Sequence, residues 1–152
     1  MIKSMKTVTL RGKYLIKAPK DKVYEVISDF EASVKLFPDV AKSIKILERN
    51  GNHLKIEART KPSKLSKSFK VSMETDLDPP NGFHSINTSS VGFEDETVRL
   101  EETAEGTMFD YTNTMAITNK YYRPIANFFI GKLALKFWEK KYIKKLKELL
   151  ES

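Results

Sequence analysis

The chain has 152 residues and a formal net charge of +7; 40% of its residues are hydrophobic and 31% are charged. This composition is ordinary for one globular domain and argues against a disordered chain, while the net charge permits an anionic partner without identifying one. The absence of cysteine excludes disulfides, thiolate zinc sites and thiol nucleophiles.

The first predicted elements in chain order are a strand and two short helices. Residues 7–17 alternate apolar and polar side chains, which is typical of a half-buried strand. Pro19 favours the start of a helix after it, and Val23 and Ile27 recur there at helical spacing. A second helical piece is predicted over residues 31–36.

Six further strands are predicted next, because apolar residues alternate in runs that end at turn signals. Asn50-Gly51, between the first two runs, indicates a β-hairpin with a type I′ turn. The runs cover residues 40–49, 53–60, 68–77, 83–89, 94–103 and 107–118.

A single long helix is predicted for residues 121–151, the last element of the chain. Consecutive strands joined by short turns favour an antiparallel meander, and this helix is the element best able to cover its apolar face. We therefore predict one domain, residues 1–152, of the α+β class. Its curved antiparallel sheet of about seven strands, with two short helices after strand 1, should wrap around the C-terminal helix.

Targeting and membrane signals are absent from the sequence. The N-terminal residues are charged every few positions, and the longest apolar patch, residues 125–138, is interrupted by Asn127, Lys132 and Lys136. Neither pattern is that of a signal peptide or a membrane span. Because the chain has no cysteine, a reducing cytoplasm is its expected location.

The stretch YLIKAPKDKVYEVISDFEASVKLFPDVAKSIKILERNGNHLKIEA, residues 14–58, together with the strand series and the C-terminal helix that follow it, resembles a known superfamily. Its Ala18-Pro19 strand end, its helix, its Ser-Asp-Phe-Glu turn and its Pro38-Asp39-Val40 entry are similar to the START-like, helix-grip superfamily (SRPBCC), in particular the polyketide cyclase and coenzyme Q-binding branch. The resemblance implies a sheet that grips the C-terminal helix around a largely apolar cavity. It implies no single function, because this fold hosts carriers and enzymes alike.

Large or adaptable apolar side chains are predicted to line this cavity. Each of them could equally be ordinary core, but as a group they suit a small-molecule pocket. The expected cavity residues are Phe30, Leu36, Phe37, Ile56, Phe69, Met73, Phe109, Tyr111, Met115, Phe128, Phe129 and Leu133.

An enzyme of this fold would need polar groups inside the pocket, and four residues are candidates. Tyr111 and Asn113 share the phase of the apolar residues of the last strand, and Glu102 shares that of Val98. His84 follows a turn and can face either way. Adjacent strand residues point to opposite faces, so neither Glu94-Asp95-Glu96 nor Glu101-Glu102 forms a carboxylate dyad by itself, and most of these residues are expected to be exposed.

No cofactor or metal site is predicted. The sequence has two well-separated histidines, no cysteine, no Gly-x-Ser-x-Gly elbow and no glycine-rich phosphate loop.

A lysine-rich stretch near the C-terminus is open to two interpretations. Cations there oppose the negative end of the helix dipole, and they also permit contact with an anionic membrane surface or RNA. The lysines are Lys140, Lys141, Lys144, Lys145 and Lys147.

The leading functional prediction is binding or transport of a hydrophobic small molecule, such as a lipid, an isoprenoid or a polyketide-like compound. The alternatives are an enzyme of the polyketide cyclase or dehydratase type, and a basic protein or RNA interaction module. No oligomeric state is predicted.

Overall fold

The computed structural model describes residues 6–60, 69–121, 123 and 132–151. Its seven strands form one antiparallel sheet in the order β1-β7-β6-β5-β4-β3-β2. The strands are β1 (Lys6–Ile16), β2 (Ala41–Asn50), β3 (His53–Thr60), β4 (Phe69–Asp78), β5 (Gly82–Thr88), β6 (Gly92–Thr103) and β7 (Gly106–Ile117). The α+β prediction and the strand meander are confirmed, and the first strand closes the order by pairing with the last.

Two short helices, α1 (Lys20–Ser28) and α2 (Ser33–Leu36), separate β1 from β2. The extended residue Pro19 precedes α1, and its carbonyl accepts the backbone N–H groups of Lys22 and Val23 at 3.0 and 3.1 Å. Asp29 ends α1, and one of its carboxylate oxygens accepts the Ala32 N–H at 3.2 Å. These contacts satisfy backbone groups that the helix ends leave free.

The C-terminal helix, as far as the structure describes it, comprises α3 (Lys132–Trp138), a π-helical turn (Glu139–Ile143) and α4 (Lys144–Leu150). Residues 122 and 124–131 of the predicted helix lie outside the described residues, and Tyr121 lies in a turn. The π-helical turn was not predicted from the sequence. Ala134 before this turn and Leu146 after it are both buried.

The hairpin between β2 and β3 forms where it was predicted, with a different turn. Asn50 pairs with His53, so Gly51 and Asn52 form the loop. Gly51 has a φ of 62°, whereas neither asparagine has a positive φ. A positive φ at the first loop position alone is typical of a type II′ turn rather than type I′.

The main core lies between the inner face of the sheet, α1 and the C-terminal helix. Phe109, Ile27 and Leu146, one from each layer, are each exposed by 1% or less. Burial of such a side chain is worth about 1.5–3 kcal/mol. On β7 buried and half-buried residues alternate along the whole strand, which fixes the face that looks inward.

Candidate functional site

A cavity of about 220 Å³ lies between the inner face of the sheet and the C-terminal helix. Most of its lining is apolar. The apolar and aromatic lining residues are Leu10, Ile27, Phe30, Val40, Ala41, Ile44, Ala58, Val71, Met73, Phe83, Val98, Phe109, Tyr111, Met115, Ala134, Leu135, Phe137, Trp138 and Tyr142. For comparison, an engineered cavity of about 150 Å³ binds benzene, so this space is large enough for a small organic ligand.

Five polar residues of the lining form a group that we call the polar cluster: Asn87, Glu94, Glu96, Tyr111 and Asn113. They come from three neighbouring strands, β5, β6 and β7. Glu94 and Glu96 are two residues apart on β6, and side chains at this spacing lie on the same face of a strand. In the sheet register Glu94 is opposite Asn87, and Glu96 is opposite Asn113.

Asn87 links the two carboxylates of the polar cluster. Its amide nitrogen lies 3.0 Å from Glu94 Oε2 and 3.4 Å from Glu96 Oε1. Its amide oxygen accepts a hydrogen bond of 2.6 Å from the hydroxyl of Ser85, which is 2.8 Å from the hydroxyl of Thr75. Asn87 is 4% exposed, so this chain of contacts fixes its amide with the nitrogen toward the two glutamates.

Asn113, on β7, places an amide oxygen without a hydrogen-bond partner in the described part of the chain beside the two carboxylates, across β6 from Asn87. Its amide nitrogen donates to the Tyr111 hydroxyl at 3.0 Å. Its amide oxygen is buried and has no hydrogen-bond partner among the described residues. A buried polar atom without a partner is costly and rare in native proteins, and a ligand donor would satisfy it.

Burial raises the pKa of both carboxyl groups. The pKa of Glu96 rises to about 7, first because of burial and then because of the nearby charge of Glu94, while hydrogen bonds from Asn87 and Tyr111 oppose the rise. The pKa of Glu94 is also raised, mainly by burial. Both side chains are half-buried in the structure, surrounded by protein yet open to the cavity. Near neutral pH Glu96 is therefore able both to donate and to accept a proton.

An aromatic wall closes the cavity on the helix side. Trp138 stacks on Tyr111, with ring centroids 4.3 Å apart, and on Tyr142, with centroids 5.1 Å apart. Tyr14 of β1 donates a hydrogen bond to Glu139, the first residue of the π-helical turn. These contacts hold the helix against the sheet beside the polar cluster.

Several residues expected at the cavity are found in its lining: Phe30, Met73, Phe109, Tyr111, Asn113 and Met115. Phe128 and Phe129 lie outside the described residues, as does the side chain of Phe69. Functional roles for all of these residues stay predictions.

The structure corrects four of the expected cavity positions. Phe37 and Ile56 are enclosed in the core instead of lining the cavity, and the partly buried Leu36 packs against that core. Phe37, for example, stacks on Tyr142 with centroids 4.2 Å apart. Leu133 is 52% exposed, because its side of α3 faces away from the sheet.

Two of the four candidate catalytic residues do not reach the cavity. His84 lies on the outer face of the sheet, where Nε2 is 2.7 Å from the Asp95 carboxylate. Glu102 is exposed, although it shares the phase of Val98, because it lies at the end of β6, one residue from the turn into β7.

The prediction that the Glu94-Asp95-Glu96 cluster is mostly exposed is wrong for its two glutamates. Adjacent residues do point to opposite faces, and Asp95 is indeed on the outer face. Glu94 and Glu96, however, share the phase of Val98 and Leu100, which are buried. The alternation of β6 therefore already placed Glu94 and Glu96 on the same face as its buried residues, and this was the sequence signal for an inward-facing carboxylate pair.

No group of three or more potential metal-ligating His, Cys, Asp or Glu side chains occurs within the described part of the chain. In the same part, no helix is both long and apolar enough to cross a membrane. The proposed contact of the C-terminal lysines with RNA or a membrane stays a prediction; one of them, Lys141, lies 3.4 Å from Asp39.

Comparison with solved structures places the fold among known relatives. TTHA0849 from Thermus thermophilus is similar with a TM-score of 0.77 and 20% identity, over 93% of this chain and 95% of that chain. The aromatase/cyclase Zhui from Streptomyces sp. R1128 is similar with a TM-score of 0.57 and 17% identity, over 93% of this chain and 86% of that chain.

A di-domain ARO/CYC protein, BexL from the BE-7585A biosynthetic pathway, gives a TM-score of 0.77 at 14% identity and covers 96% of this chain. This chain spans 50% of the length of that protein. At these identities the structural likeness shows the fold alone, which is the helix-grip fold implied by the sequence resemblance.

The family model described as polyketide cyclase/dehydrase and lipid transport matches residues 16–139. No curated protein matches the chain. The family match supports hydrophobic ligand binding or a polyketide cyclase-type role. With the greater part of its length matched, the chain belongs to the polyketide cyclase/dehydrase and lipid transport family.

Proposed function

We propose that the protein binds a hydrophobic small molecule that carries one polar group. The apolar body of the ligand lies against Met73, Phe109 and Trp138, and its polar group contacts the polar cluster. The observation that carries the proposal is the cavity of about 220 Å³ with apolar walls and an unpaired buried acceptor, Asn113 Oδ1. Apolar burial contributes about 25 cal/mol per Å² before ordering costs, and the polar contacts supply selectivity.

Trp138 makes the proposal testable without a label. It is the only tryptophan of the chain and it lines the cavity, so an occupant changes its emission. The protein is purified natively, extracted with organic solvent for mass spectrometry, and titrated with hydrophobic compounds while Trp138 fluorescence is recorded. A co-purified hydrophobic compound or a saturable fluorescence change is expected. If nothing is extracted and no compound changes the emission, the proposal is overturned.

Two neighbouring residues of α3 provide a matched pair of variants. Ala134 is 7% exposed and lines the cavity, whereas Leu133 is 52% exposed on the other side of the helix. Ala134→Phe should fill part of the cavity and weaken ligand binding about tenfold or more, whereas Leu133→Phe should leave binding unchanged. Equal weakening by both variants would contradict a site in this cavity.

A second candidate function is acid–base conversion of the bound compound, and the carboxylate pair favours it. A general acid or base works best with a pKa near the operating pH, and the pKa of Glu96 is about 7. The test reaction is the loss of water from a phenyl-substituted β-hydroxy ketone, which creates an absorbing enone. Glu96→Gln should abolish turnover and retain binding, and Glu102→Gln should change neither. If the unaltered protein shows no turnover, the catalytic proposal is overturned and the binding proposal is unaffected.

A further inference from the structure

The polar cluster has an uneven hydrogen-bonding inventory. Its groups that remain available to a ligand are acceptors: the two carboxylates of Glu94 and Glu96 and the unpaired amide oxygen of Asn113. Its donors are already engaged within the cluster: the Asn87 amide donates to the carboxylates, the Asn113 amide donates to the Tyr111 hydroxyl, and that hydroxyl donates to Glu96. A ligand that supplies donors therefore fits this end of the cavity better than one that supplies acceptors.

The charged residues that line the cavity also favour a ligand that supplies donors. The lining includes Glu94 and Glu96 but no lysine, arginine or histidine among the described residues. Buried carboxylates without a cation pay a desolvation penalty that a nearby positive charge offsets. A ligand carboxylate would instead add a third negative group to the same space, which like-charge repulsion disfavours.

From these two inventories we propose that the cavity selects hydrophobic primary amines, whose ammonium group is held by Glu94, Glu96 and Asn113. A primary ammonium has three N–H donors, and the cluster offers an acceptor from each of these residues. The rest of the molecule occupies the apolar part of the cavity. The inference rests on the proposed binding function and gives it a ligand class.

Binding of an ammonium group also implies a pH signature. The titratable groups that face the carboxylates are Tyr111 on β7 and Tyr142 on the π-helical turn. Burial raises the pKa of both phenols, so they stay neutral in the working range. The described lining residues from β1 to β5, α1 and α2 do not titrate. Amine binding should therefore release protons from the carboxylate pair and strengthen as the pH rises toward the pKa of Glu96.

The test compares three ligands with one carbon skeleton: phenylbutylamine, phenylbutanol and phenylbutyric acid. Each is titrated into the full chain at about pH 8, with Trp138 fluorescence and calorimetry as readouts. The amine should bind about tenfold or more tightly than the alcohol and the acid, because charge-assisted hydrogen bonds are about twice as strong as neutral ones. Affinity for the amine should fall about tenfold between about pH 8 and pH 5, whereas affinity for the alcohol should stay constant.

Two variants assign the effect to the carboxylates. In the double variant Glu94→Gln/Glu96→Gln, the preference for the amine should disappear while phenylbutanol still binds. This variant removes two half-buried charges, so it is expected to fold. Asp95→Asn removes a negative charge from the outer face of the same strand and should leave the preference unchanged.

The outcomes separate the two proposals. If none of the three compounds binds and no other hydrophobic compound changes Trp138 emission, the proposed binding function fails and the amine inference fails with it. If the alcohol or the acid binds as tightly as the amine, the cavity binds ligands but the amine inference is overturned. The same holds if the preference survives in the double variant or is lost in Asp95→Asn.

Discussion

Tyr111 and Trp138 stack with their ring centroids 4.3 Å apart and their planes 24° apart. This contact joins β7, in the middle of the polar cluster, to the C-terminal helix above the cavity. The geometry of the cavity therefore depends on an interaction between residues far apart in the chain.

A double-mutant cycle should measure this stacking directly. Tyr111→Leu and Trp138→Leu are compared singly and together by chemical denaturation. Aromatic pairs contribute about 0.5–1.5 kcal/mol beyond their area burial, so a coupling energy in this range is expected. Phe93, which is 50% exposed on β6, provides the control. The changes in the free energy of unfolding caused by Phe93→Leu and Trp138→Leu should be additive. Additivity of the Tyr111 and Trp138 variants would contradict the stacking.

The raised pKa of Glu96 predicts how stability depends on pH. The folded protein holds a proton on Glu96 up to about pH 7, whereas the unfolded chain loses it near the ordinary value of 4.5. The folded state thus binds more protons in this window, so the free energy of unfolding falls as the pH rises through it. The loss is about 3.5 kcal/mol, at about 1.4 kcal/mol per pKa unit over the shift from 4.5 to about 7.

Glu96→Gln should remove this part of the pH dependence. Thermal unfolding of the unaltered protein is expected to shift to lower temperature between about pH 5 and pH 8, and the variant should show a flatter profile. Glu102→Gln, on the exposed end of the same strand, should retain the slope. An identical slope in Glu96→Gln would mean that this carboxyl group is not the one that titrates.

Phe37 is a packing residue, and its truncation should act on stability. It is 1% exposed and stacks on Tyr142, so Phe37→Ala should lower the free energy of unfolding by about 3–5 kcal/mol. The matched change Phe93→Ala, at a residue 50% exposed, should cost about 0.5 kcal/mol or less. Denaturant titration distinguishes the two, and similar losses would show that Phe37 is not enclosed as described.

The hydrogen bond from Tyr14 to Glu139 is expected to stabilise the π-helical turn. Tyr14→Phe removes the donor and leaves a half-buried carboxylate without it, which should cost about 1–3 kcal/mol. Amide hydrogen exchange should become faster in residues 139–143, because this contact ties the turn to β1. Tyr121→Phe, at a residue 76% exposed, is the control. Unchanged exchange in Tyr14→Phe would contradict this role.

Most of the fold could be predicted from the sequence, because the patterns that specify strands, turns and helix starts are local. Period-two alternation identifies each strand and the face on which its apolar residues lie, and Pro19 and Gly51 mark boundaries. The seven-stranded meander follows from these elements and their short turns. No local pattern in the sequence marks the π-helical turn, whose first residue, Glu139, accepts a hydrogen bond from the distant Tyr14 of β1.

The residues of the candidate site were harder to predict from the sequence, and the glutamates of β6 show why. Their alternation indicates that Glu94, Glu96 and Glu102 share one face, but it does not indicate how deep each lies along the strand. Only the tertiary structure decides that Glu94 and Glu96 face the cavity beneath the C-terminal helix, while Glu102, at the end of β6, reaches solvent. Alternation is a local property of the strand, whereas burial depends on which distant element covers each position, and this cover also determines the raised pKa of Glu96.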